Sequence, residues 1–135
     1  MKRIIPMLFL IIAISSVSLF AQKQLQTPQP KAPVLKPTVL IADLFLVIQT
    51  LESVEITGNE VEAFLQAKNT LNGFLQDQQN ANKRVTDSIK IELPLPVAQN
   101  TMSFLSRAKI SGKVAEQFKR FVDAIVESSK AIKND

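Results

Sequence analysis

The sequence predicts an all-α fold, two helical hairpins packed as a small four-helix bundle behind an N-terminal signal peptide. Three observations lead there. The unit Ile56-Thr57-Gly58-x-x-x-Glu62-x-Phe64 returns as Ile110-Ser111-Gly112-x-x-x-Glu116-x-Phe118, each matched residue 54 positions further on. Two of the chain's three glycines fall at equivalent places in this pair. Each copy separates two stretches whose apolar residues recur at helical spacing, the pattern of a bend between paired helices. Two copies are too few for a solenoid, so the pair is expected to close on itself.

Residues 1–21 have the layout of a secretory signal peptide. Lys2 and Arg3 form a positive start, Ile4 to Ile14 is almost wholly apolar, and Ser15, Ser16 and Ser18 lead to Ala21. The basic end is retained while a short apolar helix enters the translocon. Cleavage is expected after Ala21 or after Ser18, and the chain is expected in the periplasm or secreted. The alternative is an uncleaved anchor, since Ile4 to Ala21 is barely long enough to span a bilayer. Residues 22–37 hold Pro28, Pro30, Pro33 and Pro37 among Gln, Lys and Thr, the composition of an extended tether.

The helical domain is expected over 38–135, with hairpins at 38–84 and 95–133. Its first helix reads from Thr38 to Val54. Leu40, Leu44, Val47, Ile48 and Leu51 share one face, with Val39, Phe45 and Leu46 flanking the polar side. Those three are the candidate contacts of a second chain. Asp43 falls beside Thr50 at the edge of the polar arc and reads as solvated. The second helix runs from Gly58 to about Asn82, with Thr57 and Glu60 spaced as a capping box. Gly73 weakens it unless a neighbour packs close there.

Ile89, Ile91, Leu93 and Leu95 alternate with Lys90, Glu92 and Pro94, which predicts a short extended segment near 89–93. Pro96 then suits the first turn of a third helix. The fourth, Gly112 to Ile132, carries Val114, Phe118, Phe121, Val122, Ile125 and Ile132 on one stripe. At each bend the glycine either follows the cap of the next helix or ends the previous one in a left-handed turn. The spacing allows both.

Composition narrows function. Cys and His are both absent, which removes thiolate chemistry, the commonest metal ligand and the commonest general base. No glycine-rich phosphate loop, metal-spaced cluster or nucleophile motif is present, so no cofactor or metal is expected and the chain reads as a non-enzyme. The one catalytic arrangement left is Ser103, Ser106 or Ser111 with Lys109. The net charge of +4 includes Lys2 and Arg3 and is too small for a nucleic-acid footprint.

Charge is distributed unevenly between the two bends. Glu52, Glu55, Glu60 and Glu62 surround the first with no base among them. Arg107, Lys109, Lys113, Lys119 and Arg120 surround the second, against a single Glu116. These basic residues are the remaining candidate contacts, through poles that meet between protomers or face a charged partner; anionic headgroups or an acidic envelope polymer are further options.

The first functional expectation is a non-catalytic interaction or structural protein of the envelope, acting as a homodimer or with an envelope protein. Membrane contact would come only through an uncleaved signal segment. The alternative is a carrier of a small apolar or lipid ligand, whose interior opens where Ala98, Met102 and Ala108 leave a gap. An enzyme is the third.

Overall fold

The computed structural model describes residues 31–133; the expected signal segment and most of the tether lie outside them. The chain is mainly helical, with α1 at Ile41–Glu52, α2 at Val61–Asn80, α3 at Leu95–Leu105 and α4 at Ala115–Lys133. Four short strands accompany them, β1 at Val34–Leu35, β2 at Thr38–Leu40, β3 at Ser88–Lys90 and β4 at Leu93–Pro94. The duplication is present in the elements themselves. Ile41 and Leu95 open α1 and α3, Gly58 and Gly112 open 3-10 turns, and Val61 and Ala115 open α2 and α4, always 54 residues apart.

The strands pair between the copies. Antiparallel β1–β4 aligns Val34 with Pro94 and Leu35 with Leu93. Antiparallel β2–β3 aligns Leu40 with Ser88 and Val39 with Ile89. Moving each residue to its counterpart in the other copy converts one ribbon into the other, the signature of a pseudo-two-fold exchange. The same exchange satisfies both helix starts, whose first N–H groups lack a partner within the helix. Leu95 N–H donates to Pro33 O at 2.9 Å, and Ile41 N–H donates to Asp87 O at 3.1 Å. The exchange is broken where proline intervenes. Ala42 N–H donates to Val85 O and Ile91 N–H to Pro37 O, but the counterpart donors would be Pro96 and Pro37, which have no N–H.

Leu35, Val39, Ile89 and Leu93, two from each copy, are all buried between ribbons and helices. Around them α1 packs against α2 and α4, and α2 packs against α3. Phe104 of α3 and Phe121 of α4 are both buried, and their counterparts in the first copy are Thr50 and Ala67, also buried. Phe104 meets the half-buried Phe64 edge to face at 5.3 Å.

Several expectations move. Thr38–Leu40 is strand rather than the first turn of α1, because its backbone groups pair with β3. Val39 is therefore a core residue, 4% exposed, and no contact surface for a second chain. The tether ends earlier than residue 37, since β1 lies within it and Leu35 is buried. The third helix begins at Leu95, with Pro96 in its first turn as anticipated. The extended segment is present, divided into β3 and β4. No described glycine has positive φ; Thr57 and Ser111 are extended cap residues, so the left-handed-stop reading of Gly58 and Gly112 falls away. Among the described residues the left-handed one is Asn82, with φ of 53°, just beyond α2.

A candidate ligand cleft between the third and fourth helices

Although consecutive in the chain, α3 and α4 barely touch. Each is held instead by the other copy, α3 by α2 and α4 by α1. Between them lies a cleft of about 590 Å³, within the ordinary range for small-molecule sites. Leu35 of β1 takes part in its lining, along with Leu95, Ala98 and Met102 on α3 and Ile125, Val126 and Ile132 on α4. Gln99, Ser103, Ser106 and Ser129 supply the polar atoms, and among the described residues no charged side chain lines it. Ser106 Oγ donates to Ser103 O and Ser129 Oγ to Val126 O, both at 2.7 Å.

The helical pattern accounts for this wall. In α3 the lining residues 95, 98, 99, 102, 103 and 106 recur at three- and four-residue steps. Leu105 and Val97 turn into the core, whereas Met102 is only half-buried at the cleft. In α4, Ile125 is buried and Val126 is 37% exposed. The exposed Val126, with the half-buried Ile132 and Met102, contributes to an apolar surface that the described residues leave uncovered. Ala98 and Met102 line it as the gap expectation required; Ala108 does not.

The charged bends meet within one chain. Arg107 reaches Glu60 at 3.0 Å, and its guanidinium also lies 5.3 Å from the centre of the Phe104 ring. Glu60 accepts from Thr57 N–H at 2.9 Å, the expected capping contact. That backbone hydrogen bond first, then Arg107, holds the Glu60 carboxyl below its ordinary range. One pair from the two poles, Arg107 and Glu60, thus meets within the chain. Lys109 joins Glu55, Ile56 and Arg107 around a second, polar hollow of about 510 Å³ at this end.

Asp43 is not solvated. It is 2% exposed and accepts two hydrogen bonds from Arg120, at 2.9 Å from Nε and 2.8 Å from an Nη. The Asp43 hydrogen bond raises the Arg120 pKa further. Arg120, expected to face a partner, is engaged internally, although half of its side chain remains exposed. Lys119 pairs with Asp123 one turn along α4. Lys113 is exposed, Leu46 is half-buried and Phe45 is 47% exposed. Of the serine–lysine candidates, Ser103 and Ser106 line the cleft, whereas Lys109 lines the polar hollow. Among the described residues no three acidic side chains gather as a metal site, and no helix is long and apolar enough to cross a membrane.

The cleft as a whole escaped the sequence reading, which compared the two copies by charge at the bends and not by side-chain size along the helices. The signal was present in the repeat: Leu44, Phe45 and Leu75 stand where the second copy has Ala98, Gln99 and Ser129. Compared with known protein families, curated proteins and solved structures, the chain matches none.

Proposed function

We propose that this chain is a small non-catalytic binding protein, exported by the signal segment at 1–21 to the periplasm or beyond, whose four-helix bundle holds an apolar ligand between α3 and α4. The observation that carries this reading is the cleft of about 590 Å³ with mainly apolar walls and, among the described residues, no charged lining residue. A water-filled apolar cleft is an unfavourable surface, and covering it recovers roughly 25 cal/mol for each Å² removed from water. Native mass spectrometry of the purified full chain tests the reading. A discrete added mass that organic extraction removes is the expected result. Ligand-free protein that also fails to take up an added apolar dye would defeat it.

The second reading is an interaction or structural protein of the envelope. Exposed Phe45 on α1, with Val61 and Leu65 one turn apart on α2, supports it. A discrete dimer in the same spectra, lost on changing Phe45 and Leu65 to Ser, would favour this reading over the first.

A further inference from the structure

The two copies differ in size and polarity around the cleft, and the difference runs in both directions. On α1 the places of Ala98, Gln99 and Met102 are held by Leu44, Phe45 and Ile48, and on α2 Leu75 stands in the place of Ser129. Elsewhere on the α4 wall that holds Ser129 the change is reversed, because α4 has Val126 and Ile132 where α2 has Asn72 and Gln78. The corresponding space in the first copy, beside Ile41, Phe45 and Leu75, is only about 170 Å³. The first copy therefore fills itself with its own side chains. In the second those fillers are smaller or more polar while Val126 and Ile132 add apolar surface on α4, which leaves room for an apolar occupant from outside the described chain.

We propose that the cleft receives a single-chain, uncharged amphiphile, of the long-chain alcohol or monoglyceride type. Its polar end lies at Ser103 and Ser106, and its tail runs along α3 towards Leu35 and Leu95. This rests on the ligand-binding reading above and adds the ligand's class and direction. Charge selects the head. Among the described residues none that lines the cleft is a cation, and beyond Ser106 along the chain the next basic residues, Arg107 and Lys109, line the other hollow, with Arg107 already bound to Glu60. A carboxylate or phosphate there would lose water without gaining a counter-charge. Hydrogen bonding matches a hydroxyl instead. The Ser106 proton is committed to Ser103 O, so the Ser106 oxygen remains to accept an O–H from the ligand. From Leu95 to Ser106 the helix rises about 16 Å, which gives an extended tail a continuous wall.

The test uses the full chain and N-phenylnaphthylamine, an uncharged dye that brightens in apolar sites, displaced in turn by monolaurin, laurate and dodecylammonium at neutral pH. These share one chain and differ in head. Monolaurin is expected to displace the dye at least about tenfold more tightly than either ion. A variant carrying the first copy's residues, Ala98→Leu, Gln99→Phe, Met102→Ile and Ser129→Leu, is expected to lose dye binding by at least about tenfold while keeping its helical circular dichroism. If that variant does not fold, Ala98→Leu alone is read in the same assay, with the same direction of change. Dye binding with laurate or dodecylammonium equal to monolaurin overturns the uncharged-ligand inference and leaves the function reading standing. No dye binding by the native chain, or undiminished binding by a folded filled variant, overturns both.

Discussion

Arg120 closes on Asp43 through two hydrogen bonds and so neutralises a carboxylate that the surrounding helices remove from water. The pair ties α1 to α4, and hence one copy to the other. Because Arg120 is half exposed, water screens part of the attraction. The cost of cutting it lies mainly in leaving Asp43 without its donors, about 1–3 kcal/mol. Arg120→Ala is expected to lower the urea midpoint accordingly. Lys119→Ala, which removes a surface pair one position away, should change stability by no more than about 0.5 kcal/mol. Equal effects of the two substitutions would mean that the buried contact is not made in solution. The helical spacing puts Asp43 at the edge of the polar arc of α1, beside Thr50. It could not reveal that a helix 77 residues along the chain covers that arc, because periodicity reports a face and not what faces it.

At the scale of elements, the longer helices were legible because their apolar spacing runs through several turns. The expected spans of the second and fourth helices differ from α2 and α4 mainly at their first turns, where the chain is 3-10 at Gly58–Glu60 and Gly112–Val114. No alternation runs through β1 and β2 as it does from Ile89 to Leu95, and the partners of β1 and β2 lie in the other copy. Thr38–Leu40 therefore merged into the helical pattern that follows it. Gly73 offers a test within one element. Nothing lies within 4 Å of where a Cβ would be, and its φ is not positive, so no neighbour explains the glycine. Gly73→Ala is expected to stabilise the protein by about 0.5–1 kcal/mol, seen as a higher midpoint in thermal or urea unfolding. A lower midpoint would show that α2 is tighter at that position than the structure allows.

Across the whole molecule the repeat was the most legible feature, and the way its copies interlock the least. A hairpin folded on itself would have joined α3 to α4. Instead both ribbons and two of the main helix contacts run between copies. Fragments 1–84 and 85–135 are accordingly expected to lack cooperative unfolding when separate. Mixed, they should regain the helical circular dichroism and a single transition. Two independently folding fragments would contradict the interlocked arrangement. The same arrangement sets the order in which the molecule can assemble. As the chain is synthesised, β1 has no partner until Leu93 and Pro94 have been made, and the pairing that starts α1 waits for Asp87. A protein with the composition of a fast, locally wired bundle thus depends on contacts between distant parts of the chain. Its refolding rate should fall with the slower, sheet-like class rather than with helical bundles of its size.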